Sequence, residues 1–350
     1  MSEKYCPKCG ARGEPDDVFC IQCGTKLETK ESAERGTGKS VPGKTPAKQP
    51  ENHSQSKTPA VIVTLIILGL IYSLFTGAWA PEQVFHDDAS AAASLKAQIL
   101  KHEKSLKLTY NLPEKAYFFD TTANKLVKQA IAYNGDPAEG DRLGLLCRNN
   151  GAGGHCTENR DGTFDAHISI PMVYYLTPEQ EKEFQASAQK VLKELRLEGK
   201  SAYEKIRSIY NYICSHVTYD YAHLEDENYV LQYTGYAALK YHTAVCSGVA
   251  DLFYYLANAA GVETRIQTHS THAWNFVKID GKCYYLDATW DLGLPESAYQ
   301  FFMKGTVDFD AHYGGLKISP WGAGNLLTDT YKGYEFSHFA WGDERNKLPI

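Results

Sequence analysis

Apolar positions along the chain change period from one stretch to the next, and the changes mark out its elements. Thr177-Pro178-Glu179-Gln180 is a capping box with proline at the first helical position. Phe184, Ala188, Val191, Leu192 and Leu195 then recur at helical spacing until Gly199 stops the run. Ser201-Ala202-Tyr203-Glu204 is a second capping box, followed by an apolar face of Tyr203, Ile206, Ile209, Tyr210, Ile213 and Val217. A third helix begins near Cys246, with Val249, Leu252, Phe253, Leu256 and Ala260 inward and Gly261 at its end. Two β-runs follow, 272–279 and 282–287, joined by Asp280-Gly281, which is the signal of a type I′ hairpin. Upstream the pattern is weaker. It predicts a helix near 90–105 and short strands near 107–112, 116–120 and 164–174.

The rest of the chain is segregated by composition. Residues 1–27 are cysteine-rich. Residues 28–58 hold Ser, Thr, Lys, Glu, Gly and Pro with hardly an apolar side chain, which predicts a flexible linker. Residues 60–80, AVIVTLIILGLIYSLFTGAWA, carry no charge. About 20 helical residues span the ~30 Å hydrocarbon core of a bilayer, so this run predicts one transmembrane helix. Tyr72 and Trp79 stand toward its far end, where amphipathic aromatics favour the interface. A cleaved signal peptide is disfavoured because the run starts far from the N-terminus. Lys39, Lys44, Lys48 and Lys57 precede it, while Lys96 is the one basic residue in the twenty that follow. Basic flanks stay inside, which predicts a single-pass cell-membrane protein with a cytoplasmic N-terminus and residues 81–350 outside. Within that outer part the expected divisions are 81–165, a core at 166–315, and an aromatic and Gly-rich tail at 316–350.

The formal net charge of −6 argues against a nucleic-acid binder, which carries a basic excess. Four of the nine cysteines lie in the first 23 residues. Cys6-Pro-Lys-Cys9-Gly and Cys20-Ile-Gln-Cys23-Gly are two knuckles whose glycines let the backbone turn tightly under the sulfurs. Four thiolates complete the tetrahedral shell of a structural zinc, leaving no open position for catalysis. The segment resembles short zinc ribbons, and its outer surface is a candidate site for a cytoplasmic protein partner. Of the remaining cysteines, Cys147 and Cys156 bracket a Gly-rich stretch and are a candidate disulfide. Cys214 and Cys283 fit a bond to each other or a reduced, buried state equally well.

Cys246 opens a predicted helix, where the N-terminus favours a thiolate. In the hairpin, pairing Ile279 with Lys282 sets His272 opposite Thr289 and Trp274 opposite Asp287. His272 and Asp287 then share a face as diagonal neighbours at ~7–8 Å, within reach of a carboxylate–imidazole contact. A one-residue slip would separate them. Cys246, His272 and Asp287 thus form a nucleophile, a base and its orienter.

These residues resemble the transglutaminase-like core of the papain-like thiol enzymes. The resemblance rests on Tyr233-Thr-Gly-Tyr-Ala-Ala-Leu239, Ala-Val-Cys246-Ser-Gly-Val-Ala-Asp-Leu-Phe, His272-Ala-Trp-Asn275 and Tyr285-Leu-Asp287-Ala-Thr-Trp290-Asp291. It implies an α+β fold in which the cysteine's helix packs on an antiparallel sheet. It implies Cys246 as nucleophile, His272 as general base and acid, Asp287 as orienter, and Trp274 and Trp290 as walls of the substrate site. Val249 stands where the family often has an aromatic.

The expected chemistry is acyl transfer through a Cys246 thioester on extracellular protein or cell-wall peptide, with no cofactor for catalysis. Water as acceptor gives a peptidase or amidase and an amine gives cross-linking; hydrolysis is favoured because no amine site is legible. The alternative is a non-enzymatic extracellular binding module, with the zinc ribbon recruiting a cytoplasmic partner.

Overall fold

A computed structural model describes residues 4–5, 12–13, 83–226, 228–269, 272–306, 309, 334–339 and 341. The four N-terminal cysteines, the 28–58 linker, the apolar run 60–80 and most of the 316–350 tail lie outside the described residues. Among the described residues no helix is long and apolar enough to cross a membrane. Strands β1 (Lys4–Tyr5) and β2 (Arg12–Gly13) pair antiparallel.

The first part of the region from residue 83 onward is an antiparallel sheet covered by two helices. Its strands are β3 (Val84–Phe85), β4 (Ser105–Leu112), β5 (Cys147–Asn149), β6 (Gly153–Glu158) and β7 (Phe164–Tyr174). Strand β7 is the spine, with β4 along one edge and β5 and β6 paired to it as well. Helices α1 (Asp88–Leu100) and α2 (Asp120–Ala130) bury Leu95, Ile99, Leu126 and Val127 against Leu106, Leu108, Ile168 and Ile170. The expected strand at 116–120 is absent, and α2 begins where it was to end. Ala123, Leu126, Val127 and Ala130 recur at helical spacing and are all buried, a period that the short apolar run before them obscures.

The Gly-rich stretch between Cys147 and Cys156 corrects the expected disulfide: both are free thiols. Cys147 pairs with Tyr174 and Cys156 with Ala166, so β5 and β6 run in line along β7. The glycines interrupt an extended strand instead of folding it back. Eight positions along β7 at ~3.3 Å each set the two cysteines roughly 26 Å apart, far beyond the ~7 Å between Cα atoms that a disulfide spans. Cys214 and Cys283 are buried and reduced.

The second part holds the regular elements that the sequence predicts. Helix α3 (Asp141–Leu146), which was not anticipated, leads into β5. Helices α4 (Pro178–Leu195) and α5 (Ala202–His216) open with both expected capping boxes, Thr177 with Gln180 and Ser201 with Glu204. Short strands β8 (Thr218–Tyr219) and β9 (Thr243–Ala244) pair in parallel around helix α6 (Gly235–Lys240). Helix α7 (Cys246–Ala259) is buried on all sides from Gly248 to Asn258. It packs on the antiparallel meander β10 (Thr264–His269), β11 (His272–Ile279) and β12 (Lys282–Leu286). Asp280 and Gly281 take φ of 49° and 82°, the left-handed pair that a type I′ turn demands. The architecture is α+β.

Two buried arginines tie α3 to the rest of this second part. Arg265 on β10 meets Asp141 of α3 at 2.7 and 2.8 Å, and the same carboxylate accepts the Ile266 N–H. Arg142 of α3 meets Asp251 of α7 at 2.9 Å and Glu181 of α4 at 2.8 Å. Removing one member of a buried pair leaves an uncompensated charge, which costs about 3–5 kcal/mol. Asp141→Ala is therefore expected to lower stability by about that amount in denaturant unfolding of the full chain; a loss under about 1 kcal/mol would contradict this placement.

Candidate active site

Three elements converge on one point. Cys246 is the first residue of α7, reached from β9 by way of Val245. The Val245 N–H donates to the Gln232 carbonyl at 3.0 Å, which seats the start of the helix against the segment 230–234. Gly248 makes that approach possible. A Cβ there would lie 2.9 Å from the carbonyl oxygens of both Gln232 and Thr234. The glycine two residues after the nucleophile is thus required by close packing rather than by φ.

His272 starts β11, and its Nε2 lies 2.6 Å from Asp287 Oδ2. The hairpin register holds as expected from Ile279–Lys282 to Asn275–Leu286. It stops there. Asp287 leaves the ladder to stand at the N-cap of the short helix α8 (Ala288–Asp291), and Thr289, inside that helix, does not pair with His272. The two side chains still meet, because the chain turns toward His272 at that point. Asp287 is fully buried and held from behind. Its N–H donates to the Phe301 carbonyl at 3.0 Å, and the Tyr210 hydroxyl of α5 lies 2.9 Å from its carbonyl oxygen. That hydroxyl is also 2.7 Å from Asp291 Oδ2, and Asp291 accepts the N–H groups of Gln300 and Phe301. Tyr210 and Asp291 thus brace the backbone that carries Asp287; the sequence places Tyr210 on a core face but gives no sign of this contact.

Burial alone would push the His272 pKa down. The Asp287 charge, the facing Cys246, and hydrogen bonds to both overcome it and raise the pKa to about 10. The imidazole thus bridges thiol and carboxylate. With Nε2 committed to Asp287, the other ring nitrogen is left for the sulfur.

Two tryptophans frame the ring in different ways. Trp274 is buried and stacks on the imidazole at 5.9 Å between centroids. It supports the base from below, so the expectation that it walls the substrate site changes to a structural placement. Trp290 is 56% exposed, and its indole nitrogen lies 3.0 Å from His272 Nε2. Because that nitrogen shares its proton with Asp287, the indole caps the His–Asp bond at the open side of the site. Sequence reasoning missed Tyr219. Strand β8 pairs it with Ala244, and burial together with the nearby Cys246 holds its phenol well above the ordinary range. The signal for it was a Tyr-Asp pair ending a helix–strand junction, too short to read unaided.

A buried carboxylate, an imidazole and a half-buried thiol in this order define a cysteine-type acyl-transfer centre. Residues 189–288 match the family model of the transglutaminase-like superfamily, and residues 5–27 match that of a zinc-ribbon domain. The Cys246 region is therefore transglutaminase-like, of the kind shared by cysteine peptidases and transglutaminases. The kyphoscoliosis peptidase of Mus musculus is 29% identical over 129 residues, 32% of this chain and 19% of that protein. Its Homo sapiens counterpart is 27% identical over 123 residues, 31% of this chain and 18% of that protein. The chain thus spans about a fifth of the length of these relatives. A crystal structure of a TGase covers 55% of this chain and 53% of its own at 16% identity, with a TM-score of 0.28, too low to carry an argument.

The pairing of β1 with β2 brings together the residues on either side of Cys6 and Cys9, as a knuckle needs, while Cys6, Cys9, Cys20 and Cys23 themselves lie outside the described residues. Among the described residues no group of three or more His, Cys, Asp or Glu side chains is arranged to hold a metal.

Because the folded pKa of His272 is raised, its protonation stabilises the fold fully below the unfolded value near 6.5 and the gain is lost as pH climbs through about 10. Asp287→Asn removes the charge that sustains this while burial remains. Its unfolding free energy is expected to lose the decline between pH 7 and 10, and kcat to fall on the order of 10³–10⁴-fold. A variant with the parent's pH profile would refute the assigned coupling.

Proposed function

We propose that the chain is a membrane-anchored cysteine hydrolase that cleaves amide bonds of extracellular protein or cell-wall peptide through a thioester on Cys246. The observation that carries the reading is the 2.6 Å contact between His272 and the buried Asp287, with Cys246 at the same imidazole. With the His272 ring already carrying its second proton, Cys246 acts as the thiolate facing it, its Sγ attacks the carbonyl carbon, and a tetrahedral oxyanion forms. The Cys246 N–H at the helix start and the Tyr219 hydroxyl are the donors offered to that oxygen. His272 then gives its proton to the leaving amine, and Asp287 compensates the imidazolium throughout. Water completes the cycle by attacking the thioester, its proton passing to His272, which releases the acid and restores the thiolate beside the imidazolium. Hydrolysis over transfer to an amine is favoured because no amine site is legible in the sequence.

Location and anchoring rest on sequence. The uncharged run 60–80 would be the single span, the lysines before it would keep the N-terminus in the cytoplasm, and 81–350 would face outward. Degradation of 81–350 by protease added to intact cells is expected; its protection would reverse the orientation. The zinc-ribbon match at 5–27 supports one structural zinc on Cys6, Cys9, Cys20 and Cys23, with the ribbon's surface open to a cytoplasmic protein partner. Metal analysis of the full chain is expected to find about one zinc, lost in a Cys20→Ser, Cys23→Ser variant; zinc retained there would place it elsewhere.

The enzymatic claim is tested with a thiol-directed peptidyl ketone and mass mapping. Label is expected on Cys246 and not on buried Cys147, Cys214 or Cys283, and Cys246→Ala is expected to abolish amide hydrolysis. Tyr219→Phe should keep the labelled thiol while lowering kcat about 10-fold or more. A chain whose Cys246 takes no label would instead be a binding module.

A further inference from the structure

Beside Tyr219, whose phenol lies in electrostatic reach of Cys246, stands a tyrosine that the proposed reaction does not use. Tyr221 is 77% exposed. Its position is fixed by the pairing of β8 with β9, which sets Tyr219 opposite Ala244, two residues before Cys246. The Asp220 N–H donates to the Ala244 carbonyl at 3.1 Å, and the Tyr221 ring leans on the Tyr219 ring at 4.9 Å between centroids.

The exposure is built in and does not come from fraying. Buried Asp220 accepts the His223 N–H at 3.2 Å and holds His223 Nδ1 at 2.8 Å, which closes the turn after Tyr221. Buried Gln232 donates to the His223 carbonyl at 2.9 Å, while its own carbonyl accepts the Val245 N–H. The turn that presents Tyr221 is thus tied through Gln232 to the residue preceding Cys246. A ring held open on a braced turn keeps its face available to a passing chain.

The charge around the ring selects the occupant. Glu225 and Asp226 lie exposed on the same turn, Asp220 lies beneath it, and no lysine or arginine occurs between Arg207 and Lys240. An aromatic face on an acidic turn attracts a cation by the ring quadrupole and by Coulomb attraction together, and disfavours an acidic chain.

We propose that Tyr221 is a specificity-determining residue that stacks on a cationic side chain of the acyl-donor peptide: a lysine, an arginine or a diamino acid with a free ammonium. The inference rests on the thiol-hydrolase reading and names its substrate class. Trp290 caps the His272 side of the site and Tyr221 flanks the Cys246 side, so the peptide would pass between two exposed rings.

The test uses the full chain and peptidyl acyloxymethyl ketones that carry lysine, norleucine or glutamate at each of the two positions before the ketone. Iodoacetamide serves as the probe that needs no peptide recognition. The inactivation efficiency at Cys246 is expected to favour lysine over norleucine by about 5- to 20-fold at one position, with glutamate poorest. Tyr221→Leu should bring the lysine-to-norleucine ratio close to one, and Tyr221→Phe should restore it, since the ring and not the hydroxyl does the stacking. Equal rates for lysine and norleucine, or a lysine preference that survives Tyr221→Leu, would overturn the inference while leaving the thiol reading intact. A parent chain whose Cys246 reacts with none of the ketones and not with iodoacetamide would sink the hydrolase reading itself. Should Tyr221→Leu fold poorly, Tyr221→Ser carries the same ratio test at a position that is exposed.

Discussion

The contact between His272 and Asp287 is the constraint on which the site depends. A carboxylate with no solvent exposure is costly unless its charge is compensated, and the imidazole is the group that compensates it. That same need keeps the His272 ring protonated well above its ordinary range. Much of the neighbouring structure can be read as support for this one bond. Tyr210 and Asp291 fix the backbone around Asp287, Trp274 lies beneath the imidazole, and Trp290 covers the outer side. Cys246 is delivered separately, by a helix so enclosed that its first turn cannot shift without moving the core.

Energy for holding these pieces together comes from two sources of different kind. Apolar packing around α7 supplies most of the burial, with Leu252, Phe253, Leu256 and Val277 fully enclosed. Direction comes from buried charge. Arg142 and Arg265 tie α3 to α7 and β10 through buried carboxylates. Such pairs add little net stability over apolar replacements, yet they tolerate one arrangement only. Asp251, which answers Arg142, also accepts the Gly235 N–H at 2.7 Å, so α7 and α6 are set against the same carboxylate.

Where the sequence could be read, it was because local chemistry and tertiary context agreed. The capping boxes at Thr177 and Ser201, the Asp280-Gly281 turn and the opening of a helix at Cys246 are short-range signals, and the fold keeps all of them. The hairpin register was legible as far as Leu286. Beyond it Asp287 leaves the strand, and that depends on Tyr210, 77 residues away, which no local pattern reveals. The His–Asp pairing was reached all the same, because both the ladder and its actual departure bring residue 287 to the face of His272. The Gly-rich stretch before Cys156 misled for the opposite reason. Glycines usually mark a turn, but β7 offers a long edge, and pairing to it outweighs the turn preference. Tyr219 was invisible because its importance lies in a two-residue parallel pairing across 24 residues of chain.

The site turns on an imidazolium sustained by a buried carboxylate. Nitrogen NMR of the His272 ring in the full chain, followed from pH 5 to 11, measures this directly. A doubly protonated ring at neutral pH that loses its proton near 10 is the predicted result. A neutral ring at pH 7, titrating at or below the ordinary histidine range, would show that Asp287 does not hold the base as described.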